Sequence, residues 1–439
     1  MTKPIALRDY QKEISVKAQK LLTSYKIAYL NMQVRTGKTL TAFEAAKLHG
    51  AKCVLFVTKL KAIESVKADY YAGGYNEHFE LYLINYESLH KFTNKDHDLV
   101  IIDEAHSIGA FPKPALRTTQ LRQICKNRPI IYLSGTPSPE SYSQLFHQFW
   151  ASSFSPFLHP NFYKWAADGY VDTRTKYMYN REVKDYSHAN HGKIHAATSH
   201  LFLSFTQEEA GFEQLVEEQI HTVKMSDKIY HVANKLKRDK IAIGKNGDVI
   251  EADTEVKLLN KLHQLYSGTC IFDGEDKGDG IVLDMAKAEY ILQRFGDKKL
   301  AIFYNFKAEA NMLEVVFRSK GYHIAATPEE FNATGKNTIY ISQFISGREG
   351  INLSAADCLV CLNINFSAVT YFQVRARLQT RDRTDPAVVH WLFAENGIEA
   401  DIYKAVSAKK NYTLSYFKKS ANFTPHAGVR MPAQNNPSP

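Results

Sequence analysis

The octapeptide Met32-Gln-Val-Arg-Thr-Gly-Lys-Thr39 constrains this chain more than any other stretch. A Gly-Lys-Thr between a short strand and a helix aims backbone N–H groups and a helix N-terminus at one point, the arrangement that cradles a phosphate chain. In that reading Thr36 and Gly37 complete the loop, Lys38 neutralises the β- and γ-phosphates, and the Thr39 hydroxyl ligates Mg²⁺. Met32 stands where the general pattern has its first glycine.

Such a loop requires a parallel strand–helix framework, and the hydropathy pattern supplies one. Residues 51–58, 81–86, 98–103 and 129–134 read as buried strands because they are apolar on both faces. A second series runs through 299–305, 323–326, 338–342, 358–364 and 388–393, with helical patterns such as 39–48 and 308–319 between strands. The alternation predicts an α/β fold of two lobes, each a parallel sheet covered by helices. The expected division is a first lobe over 1–150, an extension and lobe linker over 151–225, a second lobe over 226–423 and a mobile tail over 424–439. Residues 273–280 read as an exposed acidic turn.

A second signal sharpens the first. In Leu99-Val-Ile-Ile-Asp-Glu-Ala-His106 an apolar strand ends in two adjacent carboxylates. At the carboxyl edge of a strand Asp103 can hold Mg²⁺ through water, while Glu104 can polarise an attacking water. An isolated Asp-Glu pair reads as a solvated turn; behind a Gly-Lys-Thr it reads as catalytic.

Asp103-Glu-Ala-His106 and Ser134-Gly-Thr-Pro137 resemble motifs II and III of superfamily 2 helicases and translocases. Leu7-Arg-Asp-Tyr-Gln11 resembles their adenine-reading Q-motif. Leu55-Phe-Val-Thr58 and Ile84-Asn-Tyr-Glu87 resemble motifs Ia and Ib, and Ile302-Phe-Tyr-Asn305 resembles motif IV. The run from Ser346-Gly-Arg-Glu-Gly350 to Asp357 resembles motif V, and Gln373-Val-Arg-Ala-Arg377 begins motif VI. The Gly-Ile-Asn-Leu-Ser-Ala-Ala-Asp stretch, with Leu262-His-Gln-Leu-Tyr-Ser-Gly268, is similar to the Swi/Snf-type branch, and the compact length resembles phage-encoded members.

The resemblance implies two RecA-like lobes with a Tyr/Lys-rich insertion, binding ATP and Mg²⁺ between them. Gln11, Thr36, Gly37, Lys38, Thr39, Asp103 and Gln373 are then the nucleotide side, and Glu104 the base. Arg377 and Arg381 are the arginines delivered by the second lobe; Thr380 occupies the family's second arginine position, and Arg375 and Arg383 read as a solvated helix face. His106, Ser134, Thr136 and Gly350 couple nucleotide state to the groove. The groove itself takes Thr58, Lys59, Lys61, Tyr86 and Ser88 from the first lobe, and Ser342, Gln343, Ser346 and Arg348 from the second. The implied partner is DNA, single-stranded, forked or branched, on which the chain moves or which it unwinds. RNA, or a nucleotide-gated clamp that does not unwind, remains open.

Composition agrees with a polyanionic partner. The formal net charge is +9, with 44% hydrophobic residues, so the chain is globular and basic. From 163 to 195, tyrosines and Trp165 interleave with Lys and Arg. That pattern suits base stacking, or equally a structural extension packed beneath lobe one. No apolar run approaches the ~18–20 residues of a membrane span, no signal-peptide pattern opens the chain, and five scattered cysteines suggest no disulfide framework. A cytoplasmic monomer is the expectation, within a bacterial host if phage-encoded. Cys358 and Cys361 read as strand rather than zinc ligands, since no second pair accompanies them, and His188, His191 and His195 read as loop histidines.

Overall fold

The computed structural model describes residues 6–93, 96–178, 181–211, 216–243, 248–273, 279–344, 353, 355–375, 377 and 388–408. Two six-stranded parallel sheets organise the described residues as two RecA-like lobes. The first contains β1 (Ile27–Met32), β2 (Cys53–Thr58), β3 (Glu80–Asn85), β4 (Leu99–Ile102) and β5 (Ile130–Leu133). An antiparallel ribbon follows, β6 (Arg174–Met178) with β7 (Arg181–Asp185), before β8 (Phe202–Phe205) closes the first sheet beside β1. The first sheet's order is β3-β2-β4-β5-β1-β8.

The chain then crosses to β9 (Glu217–Val223), an edge of the second sheet. Two small ribbons come next, β10 (Ile241–Ile243) with β11 (Val249–Glu251), and β12 (Thr269–Cys270) with β13 (Ile281–Val282). The rest of the second sheet is β14 (Leu300–Tyr304), β15 (His323–Ala325), β16 (Thr338–Gln343), β17 (Cys358–Cys361) and β18 (Val388–Ala394), in the order β15-β16-β14-β17-β18-β9.

Both faces of each central strand are apolar because each face meets its own core. In β1, Ile27 and Tyr29 enter one cluster, while Ala28, Leu30 and Met32 enter the cluster on the opposite face. The second lobe has one contiguous cluster. Helix α1 (Asp9–Tyr25) packs on α2 (Lys38–His49), the helix that follows β1.

The stretch 151–225 differs from a separate extension, since β8 and β9 lie within it and complete the two sheets. Several of its described aromatics join the first lobe's core, while Phe154 and Tyr163 are exposed. Phe157, Phe162 and Trp165 are buried with the first lobe's strands, and Tyr170 stacks on Trp165 at 5.0 Å. This is the packing beneath lobe one that the pattern allowed. The ribbon of β6 and β7 exposes Arg174 and Lys184, which pair with Asp172 and Glu182. Residues 274–278 of the acidic turn and the tail 424–439 lie outside the described residues. Among the described residues no helix is long and apolar enough to cross a membrane.

Candidate active site between the lobes

The loop from Gln33 to Gly37 leaves the carboxyl end of β1, where ligands of parallel sheets bind. Arg35 and Gly37 take left-handed backbone, φ 64° and 81°, which turns the chain into α2. Gly37 caps α2 without a side-chain partner for its first amides, so those donors remain for an anion. The φ requires glycine here, and a Cβ would fall 2.2 Å from Gln11 Nε2 and displace that side chain from the loop.

Two walls hold this loop. On one side Tyr10 donates to the Thr36 carbonyl at 3.0 Å, and Gln11 Nε2 donates to the Gly37 carbonyl at 3.1 Å. On the other, the end of β8 binds it. Gln33 N donates to the Phe205 carbonyl at 2.9 Å, Gln207 N to Gln33 Oε1 at 2.8 Å, and Gln207 Nε2 to the Val34 carbonyl at 2.9 Å. Phe205 also stacks on Tyr10 at 4.4 Å. Phe205 and Gln207 carry no motif, and sequence reasoning missed them; the apolar run 202–205 was the available signal.

Asp103 and Glu104 follow β4. Asp103 Oδ2 accepts from the Thr58 hydroxyl at 2.7 Å and Oδ1 from the Glu104 amide at 3.0 Å. The Tyr86 hydroxyl donates to the Asp103 carbonyl. Glu104 has φ 48°, and its Oε2 lies 3.3 Å from His106 Nδ1. His106 Nδ1 is 3.2 Å from Ser134 Oγ, which accepts from the Thr136 amide at 3.1 Å. Lys38 Nζ donates to the Gln33 carbonyl at 3.3 Å. The expected couplers His106, Ser134 and Thr136 are therefore joined in one chain to Glu104.

The second lobe faces this group with the helix Ala368–Arg375 and the residue beyond it. Arg377 is 6% exposed, and its carbonyl accepts from Arg35 at 2.8 Å. Gln373 is buried, and its Oε1 has no hydrogen-bond partner. A cleft of about 870 Å³ lies between the lobes, within the usual ~300–1,000 Å³ of ligand sites. Lys38, Glu104, Gly135 and Thr136 line it from the first lobe, and Phe372, Gln373 and Arg375 from the second. Gln11, Thr36, Gly37 and Thr39 are not among its walls.

Charges converge here. Burial pushes the Lys38 ammonium below its ordinary value, opposed by Glu104 and Asp103 and reinforced by Arg377. Burial, then the neighbouring Glu104 charge, raises Asp103 above the usual carboxylate range. Burial also acts to raise Glu104, but His106, Lys38, Lys59 and Arg377 together hold it low. One carboxylate is thus held low beside one that is raised, so the pair's two protons leave at different pH.

Among the described residues no cluster of three or more His, Cys, Asp or Glu could cage a metal. The available donors are one carboxylate, Asp103, and one hydroxyl, Thr39. That sparse oxygen set fits Mg²⁺, which keeps several waters and takes its remaining ligands from phosphates.

The groove residues divide. Thr58 and Ser342 are buried, and the Thr58 hydroxyl is committed to Asp103. Tyr86 is a core residue whose hydroxyl holds the Asp103 backbone. Thr58 and Tyr86 thus brace Asp103 from behind, while Ser342 is buried at the end of β16. Lys61 is exposed, and Lys59, Ser88 and Gln343 are partly exposed. Arg375, read as a solvated face, instead pairs with Glu218 at 2.8 Å. Ser346, Arg348, Gly350, Arg381 and Arg383 lie outside the described residues.

Residues 4–139 match the family model of ResIII, the type III restriction enzyme res subunit. The matched segment runs from before α1 to just beyond Ser134-Gly-Thr-Pro137, so it includes the phosphate loop and both carboxylates. No curated protein matches the sequence. Two solved structures are similar over most of their length. The Sulfolobus solfataricus SWI2/SNF2 ATPase core in complex with dsDNA has 15% identity and a TM-score of 0.40, covering 95% of this chain and 93% of that one. The Pyrococcus furiosus Hef helicase domain has 13% identity and a TM-score of 0.46, covering 91% and 97%.

Proposed function

We propose that this chain is a superfamily 2 helicase or translocase that hydrolyses ATP with Mg²⁺ and couples hydrolysis to movement on, or unwinding of, DNA. The observation that carries this reading is a cleft shared by the two lobes, lined by Lys38 and Glu104 from the first and by Gln373 from the second, with the Arg377 charge acting on both first-lobe groups. Lys38 binds the phosphate chain, and the open amides of α2 orient it. Thr39 and Asp103 hold the magnesium, which neutralises charge on the β- and γ-phosphates when bound. Glu104 orients the attacking water and takes its proton, and His106 fixes the carboxylate against Ser134. Negative charge accumulates on the phosphoryl group in transit, and Arg377 meets it only when the lobes approach. A trans-acting arginine of this kind contributes ~10³–10⁵ in rate.

Closure of the cleft and hydrolysis are then one event, and a polyanion lying across both lobes is drawn along. Lys59, Lys61, Ser88 and Gln343 form the phosphate-contacting track, which carries no base-specific readout. Forked or branched DNA is the proposed substrate, in phage replication or recombination. The test is ATPase activity of the purified chain across single-stranded, duplex, forked and four-way DNA, with RNA homopolymers alongside and strand displacement on the fork. Stimulation by DNA with displacement supports the motor. Stimulation by RNA alone moves the substrate, stimulation without displacement leaves a nucleotide-gated clamp, and no ATPase under any condition refutes the reading.

A further inference from the structure

After leaving the phosphate loop's second wall at Gln207, the chain enters the second lobe through β9. Glu218 on that strand is the hub of a buried contact set belonging to no motif. Its side chain is 13% exposed. The Tyr371 hydroxyl lies 2.9 Å from both carboxylate oxygens. Oε2 also accepts from Trp391 Nε1 at 2.9 Å and from the Tyr403 hydroxyl at 3.2 Å, and Oε1 lies 2.8 Å from Arg375 Nε.

These partners come from three elements: the helix Ala368–Arg375, β18 and the helix Glu399–Ser407. An unpaired carboxylate in this position would be costly, whereas one satisfied by several donors becomes a fixed point of the lobe. Two of the partners, the Tyr371 hydroxyl donor and the ion-paired Arg375, are one turn apart on the helix that carries Gln373 and leads to Arg377. Pinning them sets both the rotation and the axial position of that helix. The Arg375 guanidinium also lies 5.3 Å from the Tyr371 ring centroid, which keeps it on this side of the helix.

We propose that Glu218 is a positioning residue for the second lobe's half of the nucleotide site. Its carboxylate holds Tyr371 and Arg375 so that the helix presents Gln373 to the cleft and sets the course of the chain to Arg377. Arg375, which also lines the cleft, is accordingly the anchor of this helix. The inference rests on the ATPase reading for its consequence, but not for its geometry. The crossing between the sheets is thus fastened at both ends: Phe205 and Gln207 grip the phosphate loop, and Glu218 grips the arginine helix.

The experiment uses the full chain and two readouts. Glu218→Gln keeps the side chain's size and removes its charge; Tyr371→Phe removes one donor and leaves the charge. Expected for Glu218→Gln is a kcat for nucleic-acid-stimulated ATPase lower by about tenfold with KM for ATP within about twofold. Amide hydrogen exchange in 371–375 is expected to accelerate by about tenfold, while exchange in β14 and β17 is unchanged. Tyr371→Phe moves both readouts in the same direction by less. Unchanged exchange in 371–375 overturns the proposal whatever kcat does. Exchange rising uniformly across the lobe in both variants also overturns it, since Glu218 is then a stabiliser of the fold alone. If wild type hydrolyses no ATP yet exchange rises only in 371–375, the ATPase reading fails and the anchoring of the helix stands.

Discussion

Glu104 holds a conformation that a side chain with a Cβ adopts only at a cost of ~1–3 kcal/mol, with φ 48°. Strain of this kind, at a carboxylate linked to His106 and held ionised by Lys38 and Arg377, marks a residue kept for chemistry. Glu104→Gln is expected to lower ATPase kcat by at least about a hundredfold while nucleic-acid binding, measured by fluorescence anisotropy, stays detectable. Glu104→Gly should be equally inactive but raise the melting temperature, because glycine relieves the left-handed backbone. Normal hydrolysis by Glu104→Gln, or a lower melting temperature for Glu104→Gly, contradicts this account of the residue. Thr58 acts on Asp103 and not on a ligand, so Thr58→Val should raise the Mg²⁺ concentration for half-maximal ATPase several-fold, with nucleic-acid affinity unaltered. A loss of affinity at constant Mg²⁺ response would return Thr58 to the groove. At this scale the chemistry was legible where spacing dictates it, as in Lys38, Asp103 and Glu104. It was not legible for Thr58 and Tyr86, because a residue behind the site and one in front of it share the same sequence position relative to a strand end.

The strands and helices were legible for a different reason. A sheet buried on both faces demands continuous apolar runs, so the expected 129–134 became Ile130–Leu133 and 358–364 became Cys358–Cys361. β8 and β9 escaped because neither is a continuous apolar run; β8 reads Phe-Leu-Ser-Phe, and β9 reads Glu-Glu-Gln-Ile-His-Thr-Val, with only Val223 buried. Yet these two edges fasten the phosphate loop and the arginine helix. Gln207→Ala removes the one hydrogen bond its side chain makes to the loop, worth ~0.5–1.5 kcal/mol, and is expected to weaken ATP binding several-fold in a nucleotide titration. Unchanged affinity would make the β8 wall incidental. Elsewhere in the second lobe, His263 lies between Asn363 Oδ1 at 3.0 Å and the Ile364 carbonyl at 2.8 Å, and burial lowers it to about 4. The unfolded chain binds that proton near pH 6.5 and the folded chain only near 4, so stability present above 6.5 is lost as pH falls through this window. Between pH 7 and 5 the loss is about 2 kcal/mol from this group. In urea unfolding, His263→Gln should lose correspondingly less over the same interval; an identical loss removes His263 as the cause.

On the scale of the whole molecule, the two lobes line one cleft together, and in the proposed reading neither contains a complete site. In that reading the first supplies a phosphate loop, a magnesium ligand and a base, and the second supplies positive charge. Hydrolysis therefore depends on how closely the lobes approach, and that dependence is what makes the arrangement suited to a motor on a charged strand. The two-lobe architecture could be read from the paired strand series, whereas the brace between the lobes could not, since its residues are ordinary polar ones placed by the fold. The most direct measurement is single-turnover ATP hydrolysis by Arg377→Ala with DNA present. The account predicts a rate lower by ~10³-fold or more with ATP affinity changed little. Hydrolysis at the wild-type rate would show that the first lobe works alone, and would contradict the claim that the site is shared.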